Sequence, residues 1–194
     1  MRPINLGVVG LLAVSIGVYE PVALAQSEEL SLHVEVDPLP FILGGYGIQL
    51  GVAHTALPGW RLGLGNFSLD VPDMATQLNS DNEGFHLRVR HSHALYLLRF
   101  LSGLDGWCIG GSVRILRQRF THDDAPADSL TIREYSVEAI AGYKWHPASN
   151  GFYLMPWVAL AKPLVASDSV QLAGQDYNVD FVQLFGTVNV GWQF

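Results

Sequence analysis

The stretch 132–145, IREYSVEAIAGYKW, alternates between polar and apolar side chains from Glu134 to Trp145, with Ile140 as the exception. Tyr135, Val137 and Tyr143 fall on one side of an extended chain, and Glu134 and Glu138 fall on the other. A period of two is typical of a β-strand with one apolar and one polar face. The stretch therefore predicts a strand, and the same pattern recurs outward from it in both directions.

From residue 30 to the end the dominant period is two, and helical periodicity is nowhere sustained. Strands are predicted at 30–37, 46–53, 60–69, 85–100, 107–120, 132–145, 152–161 and 179–194. Short turns alternate with longer connections, which include a polar loop at 70–84, an acidic loop at 121–130 and a last loop at about 162–178. This layout predicts an all-β fold, an eight-stranded antiparallel up-and-down transmembrane β-barrel with short periplasmic turns and longer external loops.

Composition narrows the class of protein. The 194 residues suit one domain, and only 15% of them are charged, against about 25% in ordinary soluble domains. Past residue 25 no stretch offers the roughly 20 apolar residues that a membrane helix needs. The net charge of -7 argues against a nucleic-acid partner, because such proteins usually carry a basic face.

A soluble barrel of the lipocalin kind is the rival architecture, since it has similar size and topology but keeps its apolar side chains inside. Alternation alone does not distinguish the inside of a barrel from its outside. Aromatic residues at the strand ends favour the membrane barrel, where they would form an interfacial girdle. These residues are Tyr46, Trp60, Trp107, Tyr143, Trp145, Phe152, Trp192 and Phe194.

The N-terminus has the layout of a secretory signal peptide, with Arg2, an apolar stretch at 6–18 and a small-residue cleavage site ending at Ala25. An uncleaved anchor is the alternative, but Glu20 and Pro21 interrupt the apolar run. We therefore expect a signal peptide at 1–25 and a barrel domain at 26–194. The single cysteine excludes an internal disulfide.

The final strand ends on Phe194, which follows the apolar residues Val188, Val190 and Trp192 at every second position. This pattern resembles the C-terminal assembly signal of Gram-negative outer-membrane barrels, and the whole layout is similar to that of the small OmpA-like and OmpW-like barrels. The resemblance implies location in the cell outer membrane and recognition by the barrel-assembly machinery.

If the apolar face meets lipid, the polar face fills the lumen, which in an eight-stranded barrel is only just wide enough for side chains. The charges on that face balance, and buried charges must be paired. We therefore expect an interior polar network, with a gated polar path as the alternative. The network residues are Glu35, Asp37, Arg88, Arg90, Arg114, Glu134, Glu138 and Lys144.

The segment His91-Ser92-His93 is the one candidate for a catalytic site, because outer-membrane lipases and lipid A deacylases place a Ser and a His on a barrel strand. In a strand Ser92 points away from both histidines. His91 and His93 share a face, directed toward lipid unless a bulge intervenes, and no third metal ligand follows at a suitable spacing. We expect no catalytic residues, no metal and no cofactor.

Arg117, Arg119 and Arg133 fall at the loop end of their strands, beyond the expected hydrocarbon band. Cations at that height are placed to contact the phosphates of lipopolysaccharide. An ordinary solvated rim is the alternative.

The sequence thus predicts a monomeric, non-catalytic outer-membrane barrel with outer-membrane lipid and lipopolysaccharide as partners. Its role is structural, or it passes a small or apolar solute. A lateral gap favours the passage of apolar molecules, and Pro156 and Pro163 deny ladder donors in strand seven. The alternatives are an enzyme that modifies outer-membrane lipid and a loop-mediated binding or adhesion module.

Overall fold

The computed structural model describes residues 29–76, 82–166, 170–177 and 182–194. The strands are β1 (Leu30–Val36), β2 (Tyr46–His54), β3 (Trp60–Asp70), β4 (Phe85–Ser102), β5 (Asp105–His122), β6 (Ala125–Lys144), β7 (Phe152–Ala166), β8 (Gln171–Leu172), β9 (Gln175–Asp176) and β10 (Gln183–Gln193), and the helices are α1 (Pro38–Ile42) and α2 (Asp73–Thr76). Neither of these helices is long and apolar enough to cross a membrane. The signal peptide predicted at 1–25 lies outside the described residues and stays a prediction.

Eight of the strands close into an antiparallel barrel in the order β1, β2, β3, β4, β5, β6, β7 and β10. The strands β8 and β9 form a small separate hairpin before β10. The last strand pairs with the first, since the N–H of Phe194 donates to the carbonyl of Leu32 at 2.9 Å and the N–H of Leu32 donates back at 3.2 Å. The predicted eight-stranded up-and-down barrel is confirmed.

The two ends of the barrel differ in their connections. At one end, called here the turn end, lie the connections 55–59, 103–104 and 145–151 together with the chain terminus. At the other end, called the loop end, lie 37–45, 123–124 and the described residues of the two other connections, 71–76, 82–84, 170–177 and 182. This alternation agrees with the prediction except at the β5–β6 hairpin.

The segment 121–130, predicted to be an acidic loop, forms strand on both sides of a two-residue turn, so that prediction is wrong. Pairing continues from Phe120 opposite Leu130 to His122 opposite Ala125. The inward-facing Phe120 is fully buried and packs in an apolar cluster with Phe85. The outer face of this hairpin is polar, and polar residues there are compatible with a strand whose outer face meets water.

A β-bulge in β4 reverses the facing of its first half. The register with β5 shifts between Val89 and His91. One extra residue moves every side chain beyond it to the opposite face. Phe85 and Val89 are therefore buried inside the barrel, whereas Arg88 and Arg90 are exposed on its outside. The prediction that these two arginines belong to the interior network is wrong for this reason.

The outer wall carries an apolar band with an aromatic belt at the turn end. In the belt, Trp107 packs edge-on against Tyr143, with ring centres 5.2 Å apart. This is the arrangement expected of a barrel surrounded by lipid and the opposite of a soluble lipocalin-type barrel. Exposed residues of the band include Leu50, Leu64, Leu97, Ile109, Val113, Val158 and Leu160, and those of the belt include Trp60, Trp107, Trp145, Trp192 and Phe194.

Candidate functional site

Glu35 and Arg61 form an ion pair in the turn-end half of the lumen. Nη1 of Arg61 lies 2.6 Å from Oε1 of Glu35, and each side chain is about 1% exposed. The Tyr153 hydroxyl donates to Oε1 at 2.8 Å, and the Asn189 amide donates to Oε2 at 2.7 Å. A buried carboxylate needs both an opposite charge and hydrogen-bond donors. Glu35 has both.

Two tyrosine rings fill the space around this pair. Tyr96 lies against Gly63 and Tyr153 lies against Gly191, so closely that a Cβ on either glycine would overlap the ring. The Arg61 guanidinium lies 5.7 Å from the centre of the Tyr96 ring. We call the cluster of Glu35, Arg61, Tyr96, Tyr153 and Asn189 the plug.

Lys144 continues the packed interior toward the turn end. Its fully buried ammonium donates to Oε1 of Gln193 at 2.6 Å and lies 3.4 Å from Oδ1 of Asp105. It also lies 4.5 Å from the centre of the Tyr153 ring. Together with the plug, Lys144 fills this half of the lumen with paired polar groups.

A second buried pair, Arg114 with Glu138, lies nearer the loop end. Nη2 of Arg114 is 2.9 Å from Oε2 of Glu138. The same oxygen accepts a hydrogen bond from the Ser112 hydroxyl. The guanidinium of Arg114 stacks 4.8 Å from the centre of the Phe67 ring. Glu134 faces inward on the same strand as Glu138 and is 1% exposed. The pair is therefore accompanied by an additional buried acid.

A cavity of about 620 Å³ extends from these pairs toward the loop end. Its wall is largely apolar and includes Leu39, Leu43, Leu69, Val71, Leu87, Val89, Leu116, Ile140 and Phe185. Its charged lining consists of Asp37, Arg61, Arg114, Glu134 and Glu138. Because Arg61 is already paired with Glu35, the charge left in the cavity is predominantly acidic.

The barrel wall is interrupted beside this cavity, between β10 and α1. β1 ends at Val36, which pairs with Val190. β10 extends beyond that pair to Gln183, and no strand of the described residues pairs with this extension on the β1 side. α1 lies there instead, linked to β10 by the Thr187 hydroxyl, which donates to Oδ1 of Asp37 at 2.8 Å.

The cavity extends to this interruption. Leu184 and Gly186 lie on the stretch of β10 that is unpaired on the β1 side, and both line the cavity, as does Leu39 of α1. The gap therefore lies directly beside the cavity.

The gap does not lie on strand seven, where the prolines suggested one. Pro156 pairs in register with Val188 of β10, and Pro163 pairs with Ser136 of β6. The β7–β10 ladder continues across Pro156. The β6–β7 ladder shifts register beside Pro163 and ends its regular pairing at Trp157, but pairs flank both prolines. The strands therefore stay adjacent there, and the expected gap at these residues is not the one that the structure shows. The interruption results instead from the early end of β1.

Most of the predicted interior residues face the lumen. Glu35, Arg114, Glu134, Glu138 and Lys144 are buried there, and Asp37 lines the cavity. The two exceptions lie on the outer face because of the bulge in β4, and Arg88 forms an exposed ion pair with Asp70 at 2.9 Å.

Arg61 was missing from the predicted interior residues, although it is the cation that pairs with Glu35. Its signal in the sequence is its position on the polar face of β3, followed at every second residue by Gly63 and Gly65. Small residues beside a lone charge indicate space reserved for a long side chain and its neighbours. The aromatic residue that needs the space, Tyr96, comes from the next strand.

The structure does not bring Ser92 and the neighbouring histidines together. Ser92 is fully buried inside the barrel, and its hydroxyl has no hydrogen-bond partner among the described residues. His91 and His93 are exposed on the outer face, and Nδ1 of His93 accepts the Asn66 amide at 2.7 Å. Within the described ranges no group of three or more His, Cys, Asp or Glu side chains is placed to hold a metal ion.

The remaining predicted residues lie on the outer wall. Val188 and Trp192 are exposed on β10, Val190 is half-buried between them, and Phe194 is exposed directly after the strand. The exposed Arg117, Arg119 and Arg133 lie on β5 and β6 near the loop end.

No protein-family model and no curated protein matches this chain. Among solved structures, the chain is similar to a major outer membrane protein from Thermus thermophilus. The two share 18% sequence identity with a TM-score of 0.42, over 86% of this chain and 99% of that one.

Proposed function

We propose that this chain is a non-catalytic β-barrel of the Gram-negative outer membrane that takes up small apolar solutes through its loop-end cavity. The observation that carries this proposal is the apolar cavity, which is bounded by the plug on one side and extends to the gap between β10 and α1 on the other. A solute entering from the loop end would leave sideways into the lipid.

Location in the outer membrane is supported by the apolar band and the aromatic belt, because a closed barrel with such an exterior satisfies its backbone groups in lipid. Where its strands pair around the ring, the barrel has no exposed sheet edge, and the exception is the extension of β10 beyond Val190, beside which α1 lies. We therefore propose a monomer, delivered by the predicted signal peptide and inserted by the barrel-assembly machinery.

Passage from end to end is disfavoured by the plug. Glu35, Arg61, Tyr153 and Lys144 are all buried and bonded to one another or to neighbours. Opening the lumen would require breaking buried ion pairs, which costs several kcal/mol. The lateral route requires no such step.

The lining charges suggest which solutes are accepted. The cavity holds the three acids Asp37, Glu134 and Glu138, and Arg114, which pairs with Glu138, is the one lining cation that is not paired with Glu35. Transfer of an anion into this surplus of acid is unfavourable, because like charges repel strongly where water is scarce. Uncharged apolar solutes are therefore the proposed class, and a fatty-acid carboxylate is disfavoured.

The test measures uptake of an uncharged fluorescent apolar probe into proteoliposomes, together with ionic conductance in planar bilayers. Gly65→Phe places a ring inside the cavity, where a Cβ would meet no atom closer than 3.7 Å. Ala139→Phe is the matched control, since it adds the same ring to the exposed outer wall of β6.

Wild type and Ala139→Phe are expected to accelerate probe uptake without discrete ion-channel openings, and Gly65→Phe is expected to abolish the acceleration. Discrete openings of the wild type would show an end-to-end path and contradict the lateral route. Equal uptake by all three proteins would contradict a role for the cavity.

A further inference from the structure

In the wall of the loop-end cavity, one cation lies beside two acids of the neighbouring strand. Arg114 of β5 lies in register opposite Ser136 of β6. Glu134 and Glu138 lie two residues to either side of Ser136 on the same inward face, and both are buried. The register of these strands therefore supplies one guanidinium group for two carboxylates.

The guanidinium group is engaged by Glu138. Nη2 of Arg114 lies 2.9 Å from Oε2 of Glu138, and the group stacks 4.8 Å from the centre of the Phe67 ring. The Ser112 hydroxyl donates to the same carboxylate oxygen of Glu138. Glu138 therefore has the opposite charge and the hydrogen-bond donor that a buried carboxylate requires.

Glu134 is buried without an equivalent partner. It is 1% exposed. Among the described residues none donates a hydrogen bond to its carboxylate, and the cation that acts on it, Arg114, is the one already paired with Glu138. Its neighbours are apolar and buried, with Leu116 opposite in register and Ile132 two residues before it. An ionised carboxylate in such surroundings is unfavourable until a donor or a cation reaches it.

The other charged residues that line the cavity have partners of their own. Asp37 accepts hydrogen bonds from the Thr187 hydroxyl at 2.8 Å and from the N–H of Leu39 at 3.0 Å. Arg61 is paired within the plug. Of the charged lining residues in the described part of the chain, Glu134 alone therefore has neither a hydrogen bond nor an ion pair. The group that would complete it is a cation with hydrogen-bond donors.

A solute in the cavity is placed to supply this group. Glu134 lines the cavity of about 620 Å³, and so does Gln118, a neutral side chain with an acceptor oxygen. The wall beside them is apolar and includes Leu87, Val89 and Leu116. A primary ammonium group donates three hydrogen bonds. An alkylamine therefore matches both the carboxylate and the apolar wall.

We propose that the cavity binds apolar primary amines, with the ammonium group paired with Glu134 and the alkyl chain against the apolar wall. The proposal rests on the proposed function, because the amine enters by the same cavity as the uncharged solutes. It extends the accepted solutes to cations. The Glu134 carboxylate is already desolvated by folding, so binding desolvates only the ammonium group, and the new pair compensates for both.

The test compares hexylamine with hexanol, which have the same chain length, by calorimetric titration of the full chain in zwitterionic micelles. At about pH 7 hexylamine is positively charged, as a lysine side chain is, whereas hexanol is neutral. Protein-free micelles give the blank. Glu134→Gln removes the charge and keeps the shape of the side chain. Glu83→Gln is the matched control, because it makes the same substitution at an exposed position of the loop end.

Wild type and Glu83→Gln are expected to bind hexylamine at least about tenfold more tightly than hexanol, the fold-change typical of a hydrogen bond to a charged group. The preference should disappear in Glu134→Gln. Equal affinities of the wild type for the two compounds would overturn the proposal. A preference that persists in Glu134→Gln would overturn Glu134 as the residue that binds the amine.

The stability of the ligand-free protein tests the same carboxylate without a solute. Because Glu134→Gln removes a buried charge that has no partner, the variant is expected to unfold at the same or a higher urea concentration than the wild type. A variant that unfolds at a lower concentration, or that does not fold, would show that the folded protein already stabilises the Glu134 carboxylate, and would contradict the proposal.

Gly65→Phe, which places a ring in the cavity, separates this inference from the proposed function. If the wild type binds both compounds equally and Gly65→Phe binds neither, only the pairing with Glu134 is contradicted. If the wild type binds neither compound, the cavity is not a solute site, and both proposals are contradicted.

Discussion

Arg61 and Glu35 lie 2.6 Å apart across the lumen, and neighbouring strands and tyrosines exclude both side chains from the surface. Removing one partner of such a pair leaves an uncompensated buried charge, which costs about 3–5 kcal/mol. Arg61→Met is therefore expected to lower the free energy of unfolding by about that amount, measured by urea titration in micelles. Arg99→Gln, which removes a half-buried arginine on the outer wall near the turn end, should change it much less.

The double variant Arg61→Met/Glu35→Gln provides the internal control for this prediction. Because neither side chain is then charged, most of the lost stability should return. A double variant as unstable as Arg61→Met alone would show that packing of Arg61, and not its charge, accounts for the loss.

Gly63 and Gly65 are two residues apart on the same strand face, yet they differ in the space around them. A Cβ at Gly63 would overlap the Tyr96 ring, whereas the nearest atom to a Cβ at Gly65 is 3.7 Å away. Gly63→Ala is expected to destabilise the barrel by about 1–3 kcal/mol through overpacking. Gly65→Ala should be close to neutral, and thermal unfolding of the two variants compares them directly.

Shortening the opposing side chain tests the stated cause. In Gly63→Ala/Tyr96→Leu the added methyl group no longer meets a ring, so the double-mutant cycle should give a favourable coupling energy. If the two losses in free energy of unfolding are additive, the destabilisation by Gly63→Ala comes from the backbone and not from contact with the ring.

The alternation of apolar and polar side chains was sufficient to predict the barrel, because this pattern is clearest in strands whose outer face is apolar and whose inner face is polar. β5 and β6 follow it over their central residues, and the inward positions of Arg114, Glu134 and Glu138 were predicted from it. The bulge at Arg90 was not predictable in this way. Neither glycine nor proline marks it, and both faces of the strand carry polar groups there.

The lateral gap depends on register, which alternation does not determine. Val36 pairs with Val190, so β1 ends while β10 continues to Gln183. A shift of two residues would preserve every facing and change the length of the gap. The pairing of Arg61 with Glu35 was hidden for a similar reason, since β1 and β3 are separated by β2 and meet only across the lumen.

His86 links two loop-end elements by hydrogen bonds from both ring nitrogens. Nε2 lies 2.9 Å from Oδ1 of Asp123 in the β5–β6 turn, and Nδ1 lies 2.7 Å from Oδ1 of Asp73 in α2. Ionised carboxylates only accept hydrogen bonds, so both ring nitrogens donate when the ring is protonated. The hydrogen bonds to Asp123 and Asp73 raise the pKa of His86 above its ordinary value of 6.5.

A raised pKa in the folded state means that the linkage stabilises the loops fully below pH 6.5 and is lost as pH rises through the folded pKa. Hydrogen exchange in α2, corrected for intrinsic rates, should therefore be slower at pH 6 than at pH 9. The difference should be less than about 1 kcal/mol, as for other exposed pairs. His86→Gln should remove this pH dependence and His54→Gln, at the turn end, should keep it. Identical protection at both pH values in the wild type would show that His86 does not link the loops.

The backbone and the side chain of Phe194 have different roles. Its backbone closes the barrel against Leu32, while its side chain is 64% exposed on the outer wall. Phe194→Ala keeps the backbone pairing, so the purified chain should refold into micelles almost as stably as the wild type. If the assembly machinery recognises the side chain, the amount of folded protein recovered from the outer membrane of expressing cells should fall severalfold.

Phe152→Ala is the control for this prediction. It removes an aromatic ring whose centre lies 6.4 Å from that of Trp192, and it should leave the recovered amount nearly unchanged. Equal losses in the two variants would assign the effect to the aromatic belt, and a loss of refolding in Phe194→Ala would assign it to stability.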